Sequence, residues 1–180
     1  MSNRLENAIK TMMDIFEARG YSEVKESEDT DFPYITAISP KGESVCVFKN
    51  IIQKLNTDKV KNVIATLKNL KMSRGILIYE ETPTPPVKNA IDNVPNTELT
   101  IELFSSQDLQ FNITKHIYVP KHFKVVDAEE LKNLKKEFKN GQLLPVLRTT
   151  DPITKFYGFC KGDIIRILRR DNTVAYRFVK

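Results

Sequence analysis

Long apolar runs are missing from this chain; even the most hydrophobic stretch, Gly75 to Tyr79, is far too short to cross a bilayer. The opening Ser2-Asn3-Arg4-Leu5-Glu6 has none of the features of a secretory signal, so the expected protein is soluble and stays inside the cell. Cysteine is scarce. Cys46 and Cys160 stand far apart with no metal-ligand spacing between them, which implies a reducing, intracellular setting. Only two histidines occur, His116 and His122, and no carboxylate or thiol joins them at ligand spacing, which argues against a zinc site. A glycine-rich phosphate loop is also lacking, as is a Ser/His/Asp series or a reactive cysteine setting. These absences leave the chain without a credible active site, and with no metal, cofactor, membrane or small-molecule substrate to expect.

What is present suits a folded protein. With 180 residues, 41% hydrophobic and 28% charged, the chain can bury a core in one or two domains. Its net charge of +5 is unevenly placed. Residues 1–108 carry a net −3 and residues 109–180 a net +8. Charge alone therefore gives the second part an acidic partner, either nucleic acid or an acidic protein surface.

Taken in order, Leu5, Ala8, Ile9, Met12, Met13, Ile15 and Phe16 recur at helical spacing, predicting an amphipathic helix over 4–19 that Gly20 ends. Acidic residues from Glu23 to Asp31 read as a polar loop. Residues 34–38 and 44–48 read as two strands around a Pro40-Lys41-Gly42 turn. Thr57 or Asp58 can cap a helix whose stripe is Val60, Val63, Ile64, Leu67 and Leu70. Residues 75–79 form a continuous apolar run, the mark of a strand covered on both faces. Thr82-Pro83-Thr84-Pro85-Pro86 then makes a proline-rich loop before a helix over 87–94 and a strand over 99–104. Strand, loop, helix and strand in that order suggest a βαβ unit, hence an α/β first domain. Such folds put binding groups in rigid loops at strand ends, although three prolines also serve simply to stiffen a turn.

Residues 106–114 read as the junction, giving domains at 1–108 and 109–180. Residues 114–120 predict a strand carrying Ile117 and Val119. Asp127-Ala128-Glu129-Glu130 opens a helix with the stripe Leu131, Leu134 and Phe138, which Gly141 stops. Asp151 can cap a short helix with Pro152 at its first position and Gly158 ending it in a left-handed conformation. Gly162 begins a strand, and a two-residue Asp171-Asn172 turn leads to the last one. That register sets Arg169 against Val174, Ile167 against Tyr176 and Ile165 against Phe178 on an apolar face. Arg166 and Arg177 are then paired on the other face, with Arg170 beside them. Like charges across a ladder destabilise it unless something acidic covers them; otherwise the arginines are merely solvated, with their stems along the sheet.

The same segment carries a resemblance. Leu144-Pro145, Asp151-Pro152, Phe156-Tyr157-Gly158, Lys161-Gly162, the run Ile164 to Arg169 and Tyr176-Arg177-Phe178 follow one another. Together they resemble the end of the fifth-largest subunit shared by eukaryotic RNA polymerases I, II and III, and of its archaeal RNA polymerase counterpart. Val119-Pro120-Lys121-His122, Thr82-Pro83 and Phe16 to Tyr21 extend the likeness thinly over nearly the whole chain. The resemblance implies an α/β N-terminal jaw domain, a mixed sheet with flanking helices of restriction-endonuclease type without its active site, and a small α+β C-terminal assembly domain. It implies that Pro145, Asp151, Pro152, Tyr157, Gly158, Gly162, Arg166, Arg170, Tyr176 and Arg177 meet the largest polymerase subunit, with small subunits as neighbours. Thr82, Pro83, Thr84, Pro85 and Lys88 would lie near downstream DNA, with Pro85-Pro86 standing where the family has small residues. A cellular member belongs in the nucleus; the short, divergent first domain also suits a virus-encoded polymerase in host cytoplasm or virion.

Two other classes fit less well. A nuclease of that fold needs an acid, then an acid and a lysine two positions apart on the next strand, to hold a metal and a water. Val47-Phe48-Lys49 offers apolar residues where the acids belong, and Glu23-Val24-Lys25 has the spelling but lies in the acidic loop. A free-standing nucleic-acid binder needs aromatic platforms among basic residues or a basic recognition helix, whereas the first domain is net acidic. The expectation is therefore a non-catalytic subunit of a DNA-directed RNA polymerase.

Overall fold

The structure, a computed structural model, describes residues 2–27, 33–95, 99–140 and 143–180. The chain divides into two compact units, Met1–Phe111 and Asn112–Lys180. Part of the acidic run (28–31) and Gly141 lie outside the described residues.

In the first unit, α1 (Ser2–Ala18) precedes β1 (Ser22–Glu26), β2 (Tyr34–Ile38) and β3 (Ser44–Ile52). Next come α2 (Thr57–Asn69), β4 (Arg74–Tyr79), α3 (Pro85–Asp92) and β5 (Thr100–Ser105). The five strands lie in sequence order; β1, β2 and β3 are antiparallel, while β3, β4 and β5 run parallel. Two βαβ crossovers are thus present, one through each of α2 and α3. Both helices share a core with Cys46, Phe48 and Leu77, built from Val60, Val63, Leu67, Val87 and Ile91. Strand alternation turns Val45, Val47, Ile76 and Ile78, all fully buried, to the other face, where α1 packs beside β3 through Met12, Ile15 and Phe16. The mixed α/β reading holds for this unit.

Several local expectations need correction. Ser22–Glu26 is a strand, not the start of a loop: every residue is exposed, so no apolar alternation marks it, and its charges suit an outer edge. Asn56, rather than Thr57 or Asp58, caps α2, its side chain accepting from the Lys59 N–H at 2.8 Å. Pro85 and Pro86 are the first residues of α3, where absent N–H groups cost nothing.

The second unit begins with a 3-10 turn (Ile113–Lys115) and continues through β6 (Lys121–Lys124), α4 (Ala128–Glu137), β7 (Val146–Leu147), α5 (Pro152–Tyr157), β8 (Ile164–Leu168) and β9 (Val174–Val179). Its sheet has the order β6-β8-β9-β7, antiparallel except for β7 beside β9. No strand forms over 114–120; the Asn112 side chain accepts from the Thr114 N–H and starts the 3-10 turn instead. The strand comes later, at residues 121–124, and β8 opens at Ile164, two residues beyond Gly162.

The last hairpin also differs. Its loop holds three residues, Arg170 to Asn172, between Arg169 and Thr173, which are joined by an N–H to carbonyl bond of 2.9 Å. Asn172 takes φ 60°, the left-handed end of a type I turn. The extra residue shifts the register by one and flips the partners: Arg166 faces Tyr176, Ile165 faces Arg177 and Leu168 faces Val174. Arg166 and Arg177 therefore lie on opposite faces, and the crowded arginine face does not exist. One face carries Ile164, Tyr176 and Phe178 and packs with α4 through Leu131, Leu134 and Phe138. The other carries Ile165, Ile167, Ala175 and Val179, with Leu147 and Phe159 packed against them.

Candidate docking surface

Most of the motif residues build the second unit. Asp151 accepts from the Ile153 N–H at 2.9 Å, Pro152 is the first residue of α5, and Gly158 closes it at φ 67°. Pro145 lends its carbonyl to the Phe178 N–H at 3.0 Å. Gly162, at φ 95°, donates its N–H to the Val179 carbonyl and steers the chain into β8. Gly158→Ala is expected to lower stability by about 1–2 kcal/mol, the cost of a Cβ in the left-handed region, read as a fall in melting temperature.

The polar residues divide between two faces. Arg166, about half exposed, reaches Glu130 Oε1 at 3.6 Å and lies over the Phe123 ring at 6.0 Å. Tyr176 donates its hydroxyl to the same Glu130 oxygen at 2.8 Å, a bond that pushes the phenol's pKa up. Arg170, in the hairpin loop, stacks over Tyr118 at 5.7 Å. Arg177 lies on the opposite face and donates to the Val146 carbonyl at 3.3 Å, tying β9 to β7. Tyr157 is half-buried, stacked on Phe159 at 5.2 Å. His122, on β6, is buried and hydrogen-bonded through Nδ1 to the Pro120 carbonyl at 2.8 Å; burial holds its pKa below the ordinary value. It is a packed histidine.

Composition hid the remaining feature of this surface. Large apolar side chains exposed among the described residues are Val24, Phe111, Ile117, Tyr118, Phe123, Val126, Leu143, Val146 and Val174. Seven of the nine fall within residues 112–180, the smaller unit. Phe123, Arg166 and Tyr176 sit side by side across β6, β8 and β9, with Lys121, Leu168 and Val174 in the next row of the same face. Phe123 and Val174 are 44% and 49% exposed, so this end of the face offers aromatic, aliphatic and arginine groups together. Phe123 escaped notice because a lone Phe between His122 and Lys124 forms no periodic run, whereas Val174 is expected on the apolar face of the hairpin.

In the first unit, Thr82, Thr84, Pro85 and Lys88 are exposed, beyond the C-terminal end of β4 and in the first turn of α3. Pro83 is buried, so it supports the loop rather than presenting it. Lys49 is committed to Glu26 at 2.7 Å, and Val47 and Phe48 are buried in the sheet. Among the described residues no group of three or more His, Cys, Asp or Glu side chains is placed to hold a metal ion.

Comparison with known proteins gives a consistent result. Residues 111–179 match the model of the family described as RNA polymerase Rpb5, C-terminal domain. The chain is 26% identical over 186 residues to a subunit of DNA-directed RNA polymerases I, II and III from Dictyostelium discoideum, covering 96% of this chain and 93% of the relative. It is 30% identical over 179 residues to a protein of Invertebrate iridescent virus 6, provisionally named DNA-directed RNA polymerase subunit 454R, covering 93% of this chain and 95% of that one. A DNA-directed RNA polymerase subunit 5-like protein of Arabidopsis thaliana is 33% identical over 122 residues, 66% of this chain and 58% of the relative. With matches that run nearly end to end, and motif residues that form the caps and turns of the second unit, the chain belongs to the Rpb5 family of DNA-directed RNA polymerase subunits.

Proposed function

We propose that this chain is a non-catalytic subunit of a multisubunit DNA-directed RNA polymerase. Residues 112–180 dock on the largest subunit, with small subunits as neighbours, and residues 1–111 form part of the jaw near downstream DNA. The observation that carries the docking role is the exposed apolar and arginine surface around Phe123, Arg166 and Val174. Such a patch loses free energy to water in a free protein and regains it under a partner. The jaw role rests on Thr82, Thr84, Pro85 and Lys88, exposed on a proline-stiffened loop and helix start. In a cell the site of action is the nucleus; for a virus-encoded polymerase it is host cytoplasm or virion. Affinity purification of the tagged chain, followed by mass spectrometry, is expected to recover two very large polymerase subunits. Recovery of the chain with nucleic acid alone would instead make it a free-standing binder.

A second measurement separates these readings in vitro. Residues 1–111 are net −3 and have no surplus cations with which to release counterions. The purified chain is expected to bind duplex DNA weakly and only at low salt, and to cleave none with magnesium or manganese. Micromolar binding at physiological salt by fluorescence anisotropy, or cleavage abolished by Lys49→Ala, would overturn the assembly role.

A further inference from the structure

α4 turns Leu134, with the partly covered Leu131 and Phe138, toward the sheet and leaves Lys132, Lys135 and Lys136 in solvent. Those three lysines, with Ala128, Leu131 and Asn140, line an open groove of about 410 Å³. Two other cations of the same unit have acidic partners: Lys124 pairs with Asp163 at 2.8 Å and Arg166 with Glu130. Among the described residues, no carboxylate lies within ion-pair distance of Lys132, Lys135 or Lys136. Asp127 caps the helix and Glu129 and Glu130 lie in its first turn, where they favour its positive pole; Glu129 stands three positions before Lys132 but makes no ion pair with it. Glu137 stands one, two and five positions from the three lysines, offsets that do not place side chains together on a helix. The groove also has an end wall. After Phe138 the chain takes two residues at positive φ, Lys139 (46°) and Asn140 (59°), and the Asn140 N–H returns to the Lys135 carbonyl at 2.7 Å.

We propose that this groove binds an acidic segment of a partner protein in which carboxylates alternate with apolar side chains. Lysine ammoniums are point charges that accept a carboxylate from many directions, and three of them around one groove attract a segment with several acids. The floor chooses between acidic partners. Leu131 and Ala128 can cover an apolar side chain, which a peptide supplies and a phosphate backbone does not. Groups that favour nucleic acid are missing from the lining among the described residues, which offer no aromatic ring on which a base can stack and no arginine fork for a phosphate. The site is separate from the Phe123–Arg166 patch and does not depend on docking to the polymerase.

The purified full-length chain tests this by fluorescence anisotropy with three labelled probes of equal length. These are a peptide alternating Asp or Glu with Leu or Phe, a polyglutamate peptide, and a single-stranded RNA. The alternating peptide is expected to bind most tightly, with affinity falling as salt rises. Reversing all three charges (Lys132→Glu, Lys135→Glu, Lys136→Glu) should weaken it by about tenfold or more, in line with several exposed pairs lost together. The milder Lys→Gln triple variant should weaken it less and keep the wild-type melting temperature. Tighter binding of RNA, lost in the same variants, would assign the groove to nucleic acid and overturn the proposal. Peptide binding that ignores both triple variants, or polyglutamate binding as tightly as the alternating peptide, would also overturn it.

Discussion

Replacing Glu102 by alanine is expected to destabilise residues 1–111 by roughly 3–5 kcal/mol, enough to lower their melting temperature by more than about 10 °C. Glu102, on β5, opposes Ile76 of β4 and so lies on the face that α1 covers. Its carboxylate receives Arg19 through two bonds of 3.1 and 2.8 Å and Arg74 at 2.6 Å. Arg74 also reaches Glu43 at 3.2 Å. The Arg19 side chain is 4% exposed and that of Glu102 20%, so this is an ion cluster largely withdrawn from water. Burial alone would push the Glu102 carboxyl up; the two guanidiniums more than reverse that and hold it below its ordinary value of 4.5. Removing the shared carboxylate strips the desolvated Arg19 of its acid and leaves it facing Arg74, which keeps Glu43, the costly way to break a buried pair. Glu102→Gln, which keeps the shape and loses the charge, should cost less.

The sign of the pH dependence follows from the lowered value. A carboxyl whose folded pKa lies below its unfolded one stabilises the fold above the unfolded value and loses that contribution as pH falls through the folded one. Wild-type stability should therefore drop below about pH 4, and the Glu102→Gln variant should lack that component. Calorimetric scans of both proteins across acidic pH measure this directly. A variant melting within about 2 °C of wild type at neutral pH would mean that the cluster is a surface feature of little energetic weight.

Sequence reasoning read the first unit well where burial imposes a period. The stripe of α2 and the continuous apolar run of β4 both announce a face that must meet a core, and βαβ order follows from them. It failed where exposure removes the period. The wholly exposed β1 and the Lys-His-Phe-Lys of β6 are strands held by ladder bonds to a neighbour, a fact absent from their own composition. Residues 114–120 show the reverse case: Ile117 and Val119 alternate as a strand would, yet Ile117 is 62% exposed and no ladder forms. The hairpin failed on one residue. Asn172 can sit at φ 60° in either a two-residue or a three-residue loop, and only the latter pairs Arg166 with Tyr176 instead of Arg177. Polar motif residues are thus a mixed signal, since Asp151, Gly158 and Gly162 serve chain geometry while Phe123 and Val174, the exposed apolar members of the surface, lie outside the motifs.

That corrected register decides which substitutions should detach the subunit. Phe123→Asp combined with Arg166→Glu places two negative charges in the exposed patch and is expected to abolish association with the largest polymerase subunit. Central aromatic and arginine groups in an interface each account for about 2 kcal/mol or more when lost, roughly 30-fold in affinity, so the pair should cost several hundredfold or more. Folding should survive, because Phe123 is 44% exposed and the Arg166–Glu130 pair at 3.6 Å, about half exposed, contributes at most about 1 kcal/mol. Arg177→Ala makes the contrasting control, since its side chain lies on the opposite face, with Ile165 and Val179, and bonds the Val146 carbonyl. It should trim stability slightly and leave the complex intact. Deletion of residues 1–111 should likewise preserve association, as residues 112–180 form a compact unit with their own cores. Quantitative co-purification, with circular dichroism to confirm folding, distinguishes the outcomes. If Arg177→Ala releases the subunit while the Phe123–Arg166 variant stays bound, the docking face is the one that carries Arg177. If the deletion is lost from the complex, the first unit holds the contact instead.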